Sequence, residues 1–274
     1  MGGGEGLSSR WRRAAGTAIA GALALAVPRS CIACGAAMGA RDGGLACGTC
    51  WSRLPLLPKP WCERCGHPHH GPPATCPVCP LLDASCARAR SVCWVPHAHS
   101  TPLLAALKYQ GWWRIADAMA ERMVRTGRDL LDGMAAPRFV PVPLAASRRR
   151  ERGYNQSEHL ARALARLTGG TVLEDVLVRV RATVSQTQLT PAERRVNVQH
   201  AFVASGRSRA EIGGRALVLV DDVFTTGATL NACAVALRDG GASDLRYWTF
   251  GRARSDADRS GSNGSLNDGH QGWH

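Results

Sequence analysis

The sequence predicts an α/β fold, in which a parallel sheet with flanking helices follows a small cysteine-rich module. Eight of the eleven cysteines form Cys-x-x-Cys pairs within the first 79 residues. Beyond them, short apolar strands alternate with amphipathic helical segments, as in βαβ proteins. One strand, residues 216–220, consists only of Ala, Leu and Val. Such a run is expected of a central parallel strand that is covered on both faces.

The size and charge of the chain limit its function classes. With 274 residues, 45% of them hydrophobic, it can hold one full α/β domain plus a small module. The formal net charge of +13 favours polyanionic partners, with nucleic acid and phosphorylated ligands first and an anionic membrane surface second. Aromatic residues make up only 5% of the chain, so we expect few stacking sites for bases.

Residues 1–30 are predicted to be a leader, either helical or disordered. A basic segment, Arg10 to Arg13, precedes an apolar run from Ala14 to Val27. This pattern also fits an export signal, which is the alternative interpretation. The run is too short and too rich in Ala and Gly to span a bilayer. Because reduced thiolates are expected downstream, we predict a cytoplasmic protein, with the inner face of the membrane as a second location.

Residues 31–80 are predicted to form a double zinc ribbon. Two Cys-x-x-Cys pairs on facing turns supply the four thiolates of a tetrahedral Zn²⁺ site, and this clustering favours metal over disulfides. Pairing in sequence order is the simplest arrangement, and an interleaved pairing stays open. His67, His69 and His70 are expected to be exposed loop residues rather than ligands. The predicted ligands of two structural Zn²⁺ ions are Cys31, Cys34, Cys47, Cys50, Cys62, Cys65, Cys76 and Cys79.

The remaining elements belong to one predicted α/β domain, residues 81–250, which is followed by a disordered tail at residues 251–274. Apolar periodicity, Pro and Gly mark their approximate ends. The expected strands lie at residues 91–95, 139–144, 171–180, 201–203, 216–222 and 245–250. The expected helices lie at residues 101–107, 113–131, 153–168 and 230–238.

The central strand ends in two acids and continues through a turn into a helix. Asp221 and Asp222 precede a segment that we call the glycine turn, residues 225–229. A helix N-terminus after such a turn can bind an anion, whereas ionised carboxylates accept hydrogen bonds from hydroxyls. The pattern predicts a ligand with a phosphate at one end and sugar hydroxyls at the other. An ordinary strand-to-helix turn is the alternative, but it does not account for two adjacent acids.

A second phosphate-binding segment is expected after the strand at residues 139–144. Arg148, Arg149, Arg150 and Arg152 follow it in a predicted loop. Alone, this cluster would be a solvated surface. Beside the glycine turn it becomes a candidate pyrophosphate clamp, because guanidinium groups match phosphate oxygens. Residues 183–198 are polar and rich in Gln and Arg, which suits a lid over the ligand, with a plain connector as the alternative.

The sequence Val-Leu-Val-Asp-Asp-Val-Phe-Thr-Thr-Gly-Ala-Thr-Leu resembles the phosphoribosyl pyrophosphate (PRPP) loop of type I phosphoribosyltransferases. In that family the two acids hold the ribose hydroxyls, and the Thr/Gly turn wraps the 5′-phosphate. The order of two zinc ribbons, LKYQG, PVPL, RGYNQ, a Gln/Arg lid and DDVFTTGAT is similar to the ComF family. Its members are phosphoribosyltransferase-like proteins associated with DNA uptake in natural transformation. The resemblance covers residues from about 30 to 250.

The resemblance implies a type I phosphoribosyltransferase-like fold that binds PRPP with Mg²⁺. Asp221 and Asp222 would be the catalytic residues, because they fix the ribose directly or through Mg²⁺. The predicted PRPP-binding residues are Lys108, Val142, Pro143, Leu144, Arg148, Arg152, Gln186, Arg194, Thr225, Thr226, Gly227, Ala228 and Thr229.

Two functions fit these predictions. The first is a phosphoribosyltransferase, a pentosyl transferase that passes phosphoribose to an acceptor. The second is a non-catalytic protein that senses PRPP and binds single-stranded DNA through its ribbons and Arg148 to Arg152. Other DNA-uptake proteins and the membrane surface are further expected partners. A structural zinc protein with a degenerate transferase domain is a third interpretation.

Overall fold

The structure is a computed structural model that describes residues 29–39, 44–180, 201–206 and 208–254. The chain divides into two compact units, Met1–Arg53 and Leu54–His274. Nearly all of the predicted leader, the segment expected to be a lid and most of the predicted tail lie outside the described residues. In the described parts of the chain, no helix is long and apolar enough to cross a membrane.

The first unit contains the first two Cys-x-x-Cys pairs. A single antiparallel bridge joins Ser30 to Ala37 on either side of the first pair. The second pair belongs to a short helix, α1 (Gly48–Ser52): Cys47 directly precedes it and Cys50 lies within it. The backbone N–H of Ile32 donates to the carbonyl of Leu45 at 3.0 Å. These backbone contacts bring the two turns of the unit together.

The second unit is organised around a five-stranded sheet. Its strands are β1 (Cys86–Val95), β2 (Arg138–Pro141), β3 (Thr171–Val172), β6 (Ala216–Phe224) and β7 (Asp244–Ala253), and a separate antiparallel pair consists of β4 (Leu177–Arg179) and β5 (Phe202–Ala204). The strand order is β1-β7-β6-β2-β3, and each neighbouring pair is parallel. β6 is the central strand, and residues 217–220 are fully buried. The predicted α/β class with a parallel sheet is confirmed.

The helices of the second unit connect and flank these strands. They are α2 (Thr101–Tyr109), α3 (Ile115–Gly127), α4 (Ala146–Arg152), α5 (Gln156–Thr168), α6 (Ser208–Ile212) and α7 (Ala228–Asp239). Short 3₁₀ turns occur at Pro73–Thr75, Cys79–Leu81 and Arg128–Leu131. Asn155 caps the N-terminus of α5, and its side chain accepts a hydrogen bond from the backbone N–H of Ser157 at 3.1 Å. Gly169 caps the C-terminus of α5 with a left-handed φ of 72°.

Two expectations about these elements are wrong. The strand predicted at residues 171–180 is split into β3 and β4, because the exposed acids Glu174 and Asp175 interrupt its apolar run. The arginine cluster that was expected in a loop forms α4 instead. Arg and Ala are good helix formers, and Gly153, at a φ of 78°, ends the helix.

The proline-rich segment after Leu54 covers the outer edge of the sheet. The N–H of Leu57 donates to the carbonyl of Val92 at 3.1 Å, and the N–H of Trp94 donates to the carbonyl of Pro55 at 2.8 Å. These bonds satisfy part of the exposed edge of β1, which would otherwise be available for pairing with another chain. The last two Cys-x-x-Cys pairs therefore lie in the same compact unit as the sheet.

Candidate functional site

A cleft of about 480 Å³ lies at the carboxyl ends of β2 and β6. This is the edge where ligands bind in open parallel sheets. The predicted site residues that line the cleft are Lys108, Val142, Pro143, Leu144, Arg148, Arg152, Asp221, Asp222, Thr225, Gly227, Ala228 and Thr229. Thr226 lies in the same turn, and its hydroxyl accepts from the N–H of Ala228 at 3.4 Å. Gln186 and Arg194 lie outside the described residues.

Asp222 is held by side chains from two helices. Lys108, in the last turn of α2, places its Nζ 3.1 Å from Oδ1 of Asp222. Gln156, the first residue of α5, donates from Nε2 to Oδ2 at 2.9 Å. The residue is 5% exposed, so both carboxylate oxygens find their partners within the protein. A buried carboxylate needs such pairing, because its desolvation would otherwise be costly.

Asp221 is in a less favourable electrostatic environment than its neighbour. Its Oδ1 accepts from the hydroxyl of Ser157 at 3.0 Å and from the N–H of Asp222 at 2.8 Å. Burial, followed by the charge of Asp222, raises the pKa of Asp221 to about 7. Asp221 is half-buried: protein atoms surround its carboxyl, but part of the residue faces the cleft. The carboxyl therefore changes its charge near neutral pH.

The glycine turn joins the acids to α7. The sequence predicted a strand ending at residue 222, but β6 continues through the acids to Phe224, which pairs with Arg252 of β7. Gly227 then precedes α7 with a left-handed φ of 76°. A Cβ atom at this position would lie 3.0 Å from the Phe224 ring, so glycine is required for both conformation and space. The N-terminus of α7 thus opens at the cleft.

Basic side chains form the opposite part of the cleft lining. Arg148 and Arg152 come from α4, and Arg152 donates from Nη1 to Oε1 of Gln156 at 3.0 Å. The Arg152 guanidinium also lies 4.7 Å from the centre of the Tyr109 ring. Asn155 holds the preceding loop in place, because its side-chain amide donates to the carbonyl of Val142 at 3.0 Å. Acids, a helix N-terminus and arginines therefore meet around one cavity.

The set of predicted site residues omitted six polar or aromatic residues that line the cleft, namely Tyr109, Ser147, Gln156, Ser157, Arg179 and Phe224. Gln156 and Ser157 hold the two acids, and they fall in the RGYNQ motif and directly after it. Tyr109 follows Lys108 in the LKYQG motif. Arg179 reaches the cleft from β4. Its only sequence signal was its position next to the predicted lid.

The eight predicted zinc ligands form two separate clusters. In the first, Sγ–Sγ distances are 3.8 Å for Cys31–Cys50 and 3.8 Å for Cys34–Cys47. In the second they are 3.4 Å for Cys62–Cys79 and 3.5 Å for Cys65–Cys76. Tetrahedral zinc with Zn–S bonds of about 2.3 Å needs sulfur atoms about 3.8 Å apart, so both clusters fit structural zinc. Pairing in sequence order is confirmed, since each cluster combines consecutive pairs.

The nearby histidines do not belong to these clusters. The expectation that His67 is exposed is wrong, because it is 5% exposed. Its ring packs edge-on against Trp94, with ring centres 6.1 Å apart. His70 is exposed, and His69 is half-buried. Four thiolates per site leave no open coordination position, which is typical of structural rather than catalytic zinc.

Comparisons with known proteins agree with this architecture. Residues 22–80 match the double zinc ribbon domain family. The chain is 32% identical over 229 residues to the DNA utilization protein YhgH of Salmonella typhimurium, which spans 75% of this chain and 97% of that protein. It is 38% identical over 115 residues to competence protein F of Haemophilus influenzae, which spans 42% of this chain and 50% of that protein.

Among solved structures, the chain is similar to glutamine PRPP amidotransferase from B. subtilis. The TM-score is 0.34 and the sequence identity is 21%. The similarity covers 50% of this chain and 26% of the amidotransferase, so half of this chain matches about a quarter of that protein. The alignment with YhgH, by contrast, extends over almost the whole relative. On the strength of that alignment and of the double zinc ribbon, this chain belongs to the ComF family.

Proposed function

We propose that the protein binds PRPP together with Mg²⁺ in the cleft and transfers its phosphoribosyl group to an acceptor in the service of DNA uptake. One observation carries the proposal: a single β6–turn–α7 segment brings two carboxylates and a helix N-terminus to the same cavity. The volume, about 480 Å³, is within the range of about 300–1,000 Å³ for small-molecule sites. The names of the relatives, a DNA utilization protein and a competence protein, support the biological role.

The polar lining matches the three parts of PRPP. The glycine turn and the N-terminus of α7 suit the 5′-phosphate. Asp221 and Asp222 suit the ribose hydroxyls, which donate to carboxylates. The loop at Val142 to Leu144, with Arg148 and Arg152, suits the pyrophosphate, because guanidinium groups bind phosphate oxygens in a bidentate manner.

The acids also suit Mg²⁺. This ion is usually held by one or two carboxylates plus substrate phosphates. Oδ2 of Asp221 accepts no hydrogen bond from another described residue, so it is available to a cation. Lys108 now balances the charge of Asp222. A cation held at Asp222 would take over that role and would leave the Lys108 ammonium available to the pyrophosphate.

The chain's own residues would contribute mainly by positioning and charge. Displacement of pyrophosphate from C1 of the ribose breaks the C1–O bond while the acceptor forms a new bond to C1. Asp221 and Asp222 hold the ribose, and the turn holds its phosphate, so the reacting centre is fixed. Arg148 and Arg152 stabilise the negative charge that develops on the leaving group. Bound Mg²⁺ would share that charge.

A second candidate is a PRPP-sensing protein that binds single-stranded DNA. The observation that favours it is α4, where four of seven residues are arginine. Arg149 and Arg150 are exposed and do not line the cleft. Glu158 pairs with Arg149, and Glu151 pairs with Arg148, yet the helix keeps a positive balance. Such a surface favours phosphate backbones.

Calorimetric titration with PRPP, with and without Mg²⁺, tests the proposal. We expect Mg²⁺-dependent binding that falls at least about tenfold in Asp221→Asn, because a hydrogen bond from a ribose hydroxyl to a charged carboxylate contributes about 1.5–3 kcal/mol. Leu167→Ala is a control, since Leu167 is exposed and does not line the cleft. Absence of PRPP binding by the parent protein would contradict the proposal. Pyrophosphate release with a panel of nucleobases and amines then separates the enzyme from the sensor.

A further inference from the structure

Three exposed aromatic residues are close in sequence at the end of α2 and in the segment that leads to α3. Tyr109, Trp112 and Trp113 are 54%, 45% and 41% exposed. Every other Phe, Tyr or Trp in the described ranges is buried or half-buried. In a chain with only 5% aromatic residues, three exposed rings within five positions are a concentration that needs an explanation.

Packing does not explain these rings. α2 buries Leu103, Leu104 and Leu107, and the buried face of α3 begins at Ile115. The segment between Tyr109 and Ile115 is exposed at each position. The Trp112 indole makes no hydrogen bond or ring contact with another described residue. Large apolar side chains that are left in solvent in this way mark binding surfaces more often than folding requirements.

Contacts with α5 nevertheless hold the Trp113 ring in place. Its ring stacks on His159 of α5, with ring centres 4.8 Å apart and an interplanar angle of 20°. His159 in turn meets the edge of Tyr154 at 5.4 Å. The Tyr154 hydroxyl donates to the carbonyl of Leu107 at 2.6 Å. These contacts hold the Trp113 ring in place before any ligand binds, so little side-chain entropy is lost on binding.

Cationic groups lie over two of the aromatic rings. The guanidinium of Arg114 lies over the Trp113 ring, 5.4 Å from its centre. That of Arg152 lies over the Tyr109 ring, 4.7 Å from its centre. Arg152 belongs to α4, so the aromatic surface adjoins the helix richest in arginine. Exposed aromatic rings together with guanidinium groups are the combination that binds single-stranded nucleic acid, in which bases stack on the planar groups and phosphates pair with the cations.

We propose that Tyr109, Trp112 and Trp113, with Arg114, form a stacking platform for successive bases of single-stranded nucleic acid at the mouth of the cleft. Tyr109 belongs to both sites, since it also lines the cleft. The strand would run from the platform toward the arginines of α4. Duplex DNA does not fit this surface, because its base faces are already stacked. The inference rests on the second candidate function and assigns it a site.

Fluorescence anisotropy with a labelled single-stranded oligothymidylate tests the platform. Trp112→Ala and Trp113→Ala should each weaken binding by about tenfold, because stacking contributes about 1–3 kcal/mol per base. Trp112→Phe should retain most of the affinity, since it keeps a stacking face. Leu167→Ala is the matched control, because it removes an exposed apolar side chain of similar exposure, 44%. Arg114→Gln should reduce the salt dependence by about one released counterion.

The outcomes separate this inference from PRPP binding. Trp112 and Trp113 do not line the cleft, so PRPP titration should be unchanged in both variants. Unchanged oligonucleotide affinity in a folded Trp112→Ala/Trp113→Ala protein would overturn the platform. Equal losses for duplex DNA, or a loss confined to anionic lipid vesicles, would also overturn it. A parent protein that binds PRPP but no oligonucleotide would refute the platform alone.

Discussion

Asp221→Asn is expected to stabilise the fold while it weakens PRPP binding. Folding raises the pKa of this carboxyl from 3.8 to about 7, so the folded state holds the proton more tightly than the unfolded chain does. Folding is therefore penalised as the pH rises from about 4, and the penalty is complete above about 7. Asparagine carries no charge, and its oxygen can still accept from Ser157 and from the backbone of Asp222.

The size of the expected stabilisation follows from the pKa shift of Asp221. About three pKa units at 1.36 kcal/mol each give an upper limit of about 4 kcal/mol. Because part of Asp221 faces the cleft, solvent screening reduces this to about 2–3 kcal/mol. For a folded unit of this size, 1 kcal/mol corresponds to about 2–4 °C in Tm. We expect Asp221→Asn to melt about 4–12 °C above the parent protein at pH 8.

Thermal melts of both proteins from pH 5 to pH 8 provide the assay. The difference in Tm should be largest at pH 8 and should shrink as the pH falls. Asp222→Asn is the matched control, and it should lower Tm. Its carboxylate pairs with Lys108 and accepts from Gln156, so its loss leaves a half-buried cation without its counter-charge. A Tm difference for Asp221→Asn that is negative, or that does not change with pH, would refute the reasoning.

Three further predictions concern the turn, the zinc and the pH dependence of binding. Gly227→Ala should lower Tm and weaken PRPP binding, because a left-handed φ of 76° costs a residue with a Cβ about 1–2 kcal/mol and the new methyl group meets the Phe224 ring. Gly153→Ala is the control: its φ is also left-handed, but the space around it is open, so only the conformational cost of the backbone should apply. Cys65→Ser and Cys34→Ser should each reduce bound zinc from about two ions to one, which elemental analysis can check. Only Cys65→Ser should lower the Tm of the α/β unit in a thermal melt, because Cys65 belongs to that unit and Cys34 does not. PRPP affinity in Mg²⁺ should rise between about pH 6 and pH 8 as Asp221 ionises, and titrations of Asp221→Asn should show a flatter profile.

The local features of the fold could be predicted from the sequence. The all-apolar run at residues 217–220 identified the central strand, and the two acids with the glycine turn identified the binding edge. Cysteine spacing was sufficient for both metal clusters. These features depend on residues that are close in sequence, where period and spacing reflect the backbone geometry directly.

Contacts between distant residues could not be predicted in the same way. The Lys108–Asp222 pair joins the end of α2 to the end of β6, more than one hundred residues along the chain. Each residue alone is equally consistent with a solvated charge. The buried position of His67 depends on Trp94, and the edge pairing of residues 55–57 depends on β1. Local periodicity carries no information on such partners.

The second cysteine cluster is connected to the glycine turn through the protein core. Arg252 is 2% exposed and donates from Nη2 to the carbonyl of Cys65 at 2.8 Å. Its guanidinium lies 4.5 Å from the centre of the Phe224 ring, and that ring sets the space available at Gly227.

A second connection reaches α7 from the same ribbon. The side-chain amide of Asn231 donates to the carbonyl of Leu81 at 2.6 Å, and its oxygen accepts from the N–H of Asp83 at 3.0 Å. The helix that begins at the turn is thus fixed to the segment that leaves the last cysteine pair. A metal that orders this ribbon would therefore also order the glycine turn.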